Sequence, residues 1–192
     1  MITVWIHGAN SSPVSFNYTK TKVKTEENLF IKYDEEEGYD FNVEKIKGII
    51  EKETKGKPCN IIAHSLGSLI AVGLYYEGVN INKMVCISGP YGGLESAVVL
   101  SYWVPSSKLI KDLHPRRPIY SKIKTKPIDA NALFIVTTGG ANPVFGQKND
   151  GVLTINSQTA IPNKDYVYVE LNHSEILNCD STGEIINSFI NS

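Results

Sequence analysis

The stretch Cys59-Asn60-Ile61-Ile62-Ala63-His64-Ser65-Leu66-Gly67-Ser68-Leu69 constrains this chain most. Cys59 to Ile62 reads as a buried strand. Leu66, Leu69, Ile70 and Leu74 follow at once with helical spacing. The join between them is Ala63-His64-Ser65-Leu66-Gly67, the pattern small-x-Ser-x-small. A strand that turns sharply into a helix at a serine lifts the hydroxyl clear of the sheet. It also brings the residues two before and two after the serine into close approach, so both must be small. The new helix N-terminus beneath the serine favours developing negative charge. Alone, the pentapeptide reads equally well as a serine N-cap on an ordinary helix. The rest of the chain decides between the two.

Strand-like runs recur at Ile2–Ile6, Leu29–Tyr33, Lys83–Ser88, Leu133–Thr137 and Val167–Leu171. Helical patterns fall between or after them. Phe41–Lys55 has apolar positions at 43, 46, 49 and 50, and Ser174–Ile190 is interrupted by Gly183. The polar residues 14–27 are ambiguous, with a helix one option. Strands alternating with helices imply a parallel sheet with helices on both faces, a three-layer α/β sandwich. A length of 192 residues suits one domain, and 42% hydrophobic with 20% charged residues suits a globular one. The net charge of −1 gives no general attraction to nucleic acid. No apolar run approaches the ~20 residues of a membrane span. The first residues lack a basic run and a cleavage site, so a cytoplasmic location is expected. Cys59 and Cys86 fall in expected core strands and read as buried reduced thiols. Cys179 stays unplaced. No residues show metal-ligand spacing, and no metal or other cofactor is expected. The run Asp34-Glu35-Glu36-Glu37 reads as a solvated loop before it reads as a cation site.

In open parallel sheets, ligands bind beyond the carboxyl ends of the strands. Three such ends carry chemistry. Ser65 follows one strand, Asp150 lies in the loop after Leu133–Thr137, and His173 follows the last strand. Ser65 is a poor nucleophile until a neutral imidazole takes its proton. His173 would be that base, and Asp150 would orient it and stabilise the imidazolium. Asp129 is the competing carboxylate, but it precedes its strand and would sit at the wrong end of the sheet. Other histidines have plainer readings. His7 braces its loop, His64 points into neighbouring structure, and His114 is solvated.

The order Ser…Asp…His resembles that of the α/β-hydrolase superfamily, and specifically the small lipase-like serine esterases. The resemblance runs nearly end to end. It rests on His7-Gly8, Ala63-His64-Ser65-Leu66-Gly67, Gly89-Pro90-Tyr91-Gly92-Gly93, Asn149-Asp150-Gly151-Val152 and Asn172-His173-Ser174. Compact bacterial lipases also carry alanine at the first elbow position. Such minimal members lack the two leading strands of the full fold, as this chain would. The resemblance implies a triad of Ser65, Asp150 and His173. It also implies an oxyanion hole from the backbone N–H groups of Ala9 and Leu66, with Asn10 as a further donor.

The stretch 90–127 is irregular, holding five prolines, several aromatics and a basic excess. In lipase-like proteins this position often hosts a lid or substrate wall, so a lid-like insertion at an edge of the sheet is expected. Tyr91, Tyr102 and Trp103 would then contact substrate. The plainer reading is a packed surface helix with a solvated basic edge. The implied activity is hydrolysis of a carboxylic ester, from a small-molecule or lipid substrate, through an acyl-enzyme. The same machinery would serve an amidase, thioesterase or acyltransferase, and a binding protein with a silent site is the alternative from another class.

Overall fold

The computed structural model describes residues 1–94, 96–97 and 106–192. Among these residues six strands form one sheet: β1 (Ile2–Ile6), β2 (Glu27–Ile31), β3 (Cys59–His64), β4 (Ile81–Ile87), β5 (Ala132–Thr137) and β6 (Tyr166–Val169). Their order is β2-β1-β3-β4-β5-β6, and every neighbouring pair is parallel. The helices are α1 (Asn17–Lys22), α2 (Tyr39–Thr54), α3 (Leu66–Tyr76), α4 (Lys108–Asp112), α5 (Pro118–Thr125), α6 (Ile155–Gln158) and α7 (Asp180–Asn191). Among the described residues no helix is long and apolar enough to cross a membrane.

Side chains alternate across a strand, and here both faces are apolar because both are covered. Val4, Ile61, Met84, Cys86 and Phe134 pack with Val43, Ile46 and Ile50 of α2, Leu69 of α3, and Ile119 and Ile123 of α5. Their strand neighbours Trp5, Ile62, Val85, Ile87 and Ile135 pack on the other side with Phe16, Ile176, Ile186 and Ile190. Cys59 and Cys86 are buried free thiols within this core.

Several boundaries differ from the sequence reading. Strand β2 begins at Glu27, not Leu29, because it pairs Glu27–Ile31 with Ile2–Ile6 of β1. The indole N–H of Trp5 donates to Asn28 Oδ1 at 2.7 Å, which brings a polar residue into this edge strand. The C-terminal segment breaks at Cys179 and not at Gly183. A 3₁₀ turn, Glu175–Asn178, precedes α7. Gly183 instead lets α1 approach α7, since a Cβ there would lie 2.4 Å from Lys22 Cβ. Gly183→Ala is therefore expected to cost about 1–3 kcal/mol by overpacking. A thermal melt checks it, and an unchanged midpoint would mean that the two helices part freely.

The described residues of the stretch 90–127 connect two interior strands and are not an insertion at a sheet edge. The second half of the stretch is the crossover between β4 and β5, which are interior neighbours. Helix α5 buries Ile119, Tyr120 and Ile123 in the layer it shares with α2 and α3. Two of the basic residues here are paired: Arg117, just before the helix, with Asp40 at 2.8 Å and with Asp112 at 3.0 Å, and Lys122 with Glu77 at 3.6 Å. The acidic run after β2 is a clamp rather than a free loop. Glu36 accepts from the Ser107 hydroxyl and the Lys108 N–H, each at 2.8 Å, which holds the start of α4.

Candidate active site

The strand order reverses between β1 and β3, and the loops that leave their carboxyl ends meet there, where such sheets bind ligands. Ser65 sits between β3 and α3 at φ 53° and ψ −122°. A non-glycine residue at positive φ costs on the order of 1–3 kcal/mol, and surrounding structure must hold it. Ser65 N–H donates to Ile87 O at 2.8 Å, and Ser68 N–H donates to Ser65 O at 2.9 Å. The buried Ser68 hydroxyl lies 3.0 Å from Ala63 O and accepts from Ile87 N–H at 3.1 Å. Gly67 is required by space: a Cβ there would stand 2.3 Å from Ile6 O and 2.5 Å from His7 O.

Three side chains meet at this turn. Ser65 Oγ lies 2.9 Å from His173 Nε2, and His173 Nδ1 lies 2.7 Å from Asp150 Oδ2. The carboxylate can only accept, so Nδ1–H donates to it and leaves Nε2 free to accept from the serine. His173 is 8% exposed and Asp150 is 1% exposed. The loops after β5 and β6 are tied to each other, because His173 N–H donates to Asp150 O at 3.0 Å. Asp129 is exposed and lies before β5, at the opposite end of the sheet.

Asp150 is held by more groups than the sequence reading named. Its Oδ1 accepts from the N–H groups of Val152 and Leu153 at 2.9 and 2.7 Å. Its Oδ2 accepts from Thr137 Oγ1 at 2.6 Å and Gln158 Nε2 at 3.3 Å. Thr137 spends its one hydroxyl hydrogen on Asp150, so Ser88 Oγ donates to Thr137 at 2.8 Å. Gln158 also spans the backbone of Thr137, accepting from its N–H at 2.9 Å and donating to its carbonyl at 3.0 Å. Burial alone would raise the Asp150 pKa. The hydrogen bonds and charge of His173, with Thr137 and Leu153, outweigh burial and hold the carboxyl below its usual range.

His64 does point away from Ser65. Its Nε2–H donates to His173 O at 2.8 Å, and the two rings lie 4.9 Å apart. Burial, reinforced by repulsion from His173, pushes its pKa down to about 3. Burial also lowers the pKa of His7, which stacks 4.4 Å from Tyr33 and donates from Nδ1 to Gly8 O at 2.7 Å. Folded His64 is therefore neutral down to about pH 3. Between about 3 and about 6.5 the unfolded chain binds a proton that folded His64 refuses, so stability rises with pH in that window. Stability is thus expected to fall below about pH 6.5, by up to about 1.4 kcal/mol per pH unit for each such group. Unfolding midpoints from pH 7 to 4 check this, and His64→Gln should flatten the fall. An equally steep fall in that variant would locate the effect elsewhere.

The expected oxyanion donors flank Ser65. The N–H groups of Ala9 and Leu66 take no acceptor among the described residues. Asn10 does not add its backbone N–H, which donates to Glu35 Oε1 at 2.7 Å. Ala9, Ser65 and His173 line one groove of about 530 Å³. Tyr91 is not part of it. That ring is 1% exposed and packs edge-on against Phe134, with centroids 5.7 Å apart, as a core residue. Tyr102 and Trp103 lie outside the described residues.

No family profile and no curated protein matches the chain. Solved structures do. Phospholipase PlaB from Legionella pneumophila superposes with a TM-score of 0.78 at 11% identity, over 100% of this chain and 59% of its own length. The mature lipase BlEst2 from Bacillus licheniformis gives 0.73 at 13% identity, over 98% of this chain and 90% of that one. The NocB thioesterase domain, bound covalently to a fluorophosphonate nocardicin G analogue, gives 0.65 at 7% identity over 100% and 95%. The chain thus has the α/β-hydrolase fold, and it spans about three fifths of the length of PlaB.

Proposed function

We propose that this chain is a serine hydrolase that cleaves carboxylic esters through an acyl-enzyme. The observation that carries the reading is the unbroken hydrogen-bond line from Ser65 through His173 to Asp150, at 2.9 and 2.7 Å. Ser65 Oγ attacks the ester carbonyl carbon while its proton passes to His173 Nε2. The carbonyl oxygen takes the negative charge and is met by the N–H groups of Ala9 and Leu66. The intermediate collapses, the C–O bond to the alcohol breaks, and the alcohol leaves with the proton from His173. Water then repeats both steps on the acyl-enzyme, giving the acid and free Ser65. Asp150 stays ionised throughout, since its carboxyl is held below the usual range. A small-molecule or lipid ester is the substrate of this reading.

Labelling by a fluorophosphonate probe, followed by hydrolysis of short and long p-nitrophenyl esters, tests the proposal. Labelling at Ser65 with ester turnover is expected. A chain that neither labels nor turns over any ester would be a silent binding fold. The likeness to a thioesterase domain favours thioesters as the second reading. Matched acyl esters and acyl thioesters separate the two by their relative kcat/KM.

A further inference from the structure

Five donors converge on the Asp150 carboxylate, and three of them share Oδ2: His173 Nδ1 at 2.7 Å, Thr137 Oγ1 at 2.6 Å and Gln158 Nε2 at 3.3 Å. Aim alone does not need them all. The N–H groups of Val152 and Leu153 already fix Oδ1, and Asp150 O accepts from His173 N–H at 3.0 Å. A buried hydroxyl on Oδ2 needs another account.

Thr137 is itself tightly held. Its N–H donates to Gln158 Oε1 at 2.9 Å, and its carbonyl accepts from Gln158 Nε2 at 3.0 Å. Gln158 Oε1 is also the other acceptor within reach of the hydroxyl, at 3.3 Å, but that N–H occupies it. The hydroxyl hydrogen therefore goes to the nearer, charged oxygen of Asp150. Ser88 Oγ donates to the hydroxyl from behind at 2.8 Å. Ser88 is fully buried and stands at φ 50°, a left-handed conformation that a serine keeps only where its surroundings hold it. Thr137 has no exposed surface and does not line the groove at Ser65, so it touches no substrate.

The hydroxyl bears on a proton. When Ser65 attacks, His173 carries protons on both nitrogens. A proton that passed from Nδ1 to Oδ2 would leave two neutral groups, and their attraction in the transition state would be lost. Each donor on Oδ2 makes that oxygen less basic. We propose that Thr137 is a positioning residue of the triad, whose hydroxyl, braced by Ser88 and Gln158, keeps the shared proton on His173 Nδ1 and off Asp150 Oδ2. The proposal rests on the hydrolase reading above and assigns one more residue to it.

The direction of the pH effect follows. Without the hydroxyl, Oδ2 holds the imidazolium more tightly, and a higher pH is needed to free Nε2 for the serine proton. His64 is the other titratable side chain beside His173, and it is neutral above about pH 3. Residues 8–15 and α6 carry no titratable side chain, and Lys148 and Glu175 are exposed. The acid limb of kcat/KM therefore belongs to the His173–Asp150 pair.

The test measures hydrolysis of a short p-nitrophenyl ester by purified protein from about pH 5 to 9. Thr137→Val keeps the branched shape and both backbone bonds to Gln158 but loses the donor. It is expected to lower kcat by about tenfold, leave KM within about twofold, and move the acid limb up by roughly half a pH unit or more. Thr137→Ser keeps the donor and should stay within about threefold of wild type, with the wild-type limb. Valine leaves the Ser88 hydroxyl buried without its acceptor. The double variant Ser88→Ala/Thr137→Val removes both ends of that bond and should show the same loss and the same shift.

Wild-type kcat and limb in the folded valine variants overturn the proposal. So does a fall in kcat with the limb unmoved, or a serine variant as impaired as valine, since either makes the role one of packing. Loss of the cooperative melt in both valine variants would make the hydroxyl a requirement of the fold and overturns it too. In each case the wild-type protein still labels with fluorophosphonate, and the hydrolase reading stands. A wild-type protein that neither labels nor turns over any ester would sink that reading and this proposal with it.

Discussion

Ser65→Ala is expected to lower ester turnover by on the order of 10⁴-fold or more while leaving the fold in place. The variant removes the attacking oxygen and the 2.9 Å hydrogen bond to His173 Nε2. It leaves the turn's geometry to Gly67, Ser68 and the Ile87 carbonyl, none of which depends on the hydroxyl. Alanine keeps the Cβ, so the strain at φ 53° is nearly unchanged and the melting midpoint should move little. Fluorophosphonate labelling should disappear with turnover. Turnover near the wild-type level together with an unchanged melt would show that Ser65 is not the nucleophile.

Asp150→Asn should cost about as much, roughly 10⁴-fold in kcat, for a different reason. The amide must place its oxygen where Val152 and Leu153 point their N–H groups, at 2.9 and 2.7 Å from Oδ1. Its NH₂ then faces His173 Nδ1, where Oδ2 now accepts at 2.7 Å. Two donors cannot share that position, so the imidazole moves its proton to Nε2. In that tautomer Nε2 donates to Ser65 and can no longer take its proton. Asp129→Asn, at the other end of the sheet, should leave turnover within about twofold. Comparable losses in both variants would mean that the carboxylate acts through the fold and not through His173.

Much of the framework was legible because its signals are local. Apolar runs such as Ile61-Ile62 and Val85-Cys86-Ile87 mark strands covered on both faces, and the spacing of Ala63, Ser65 and Gly67 announces the turn. The positions of Asp150 and His173 followed from chain order at strand ends. The groups that hold Asp150 were not legible. Thr137 looked like the polar end of a strand, and Gln158 sat in a polar stretch with no pattern. They meet only because β4, β5 and α6 converge, 21 residues apart for Thr137 and Gln158 and 49 for Ser88 and Thr137. A threonine closing an apolar strand just before Thr138-Gly139-Gly140 was the one available hint. Tyr91 misled in the opposite sense. An aromatic in a Gly-Pro-Tyr-Gly-Gly turn suggests an exposed wall, whereas tertiary packing against Phe134 takes it into the core. The acidic run hid its role for a similar reason, since its partners Asn10, Ser107 and Lys108 come from distant segments.

The two core cysteines have a consequence for distinguishing serine from thiol chemistry at the bench. Alkylating reagents attack the thiolate. Burial pushes the Cys59 thiol up to about 11 and the Cys86 thiol up to about 12, so both stay protonated and shielded at neutral pH. Cys179 is the accessible thiol of the three, and the Ser181 hydroxyl beside it favours its ionised form. Iodoacetamide should therefore mark the native protein at Cys179 alone, and full alkylation should require unfolding. Counting carbamidomethyl groups by mass against urea concentration would report the opening of the β3–β4 core.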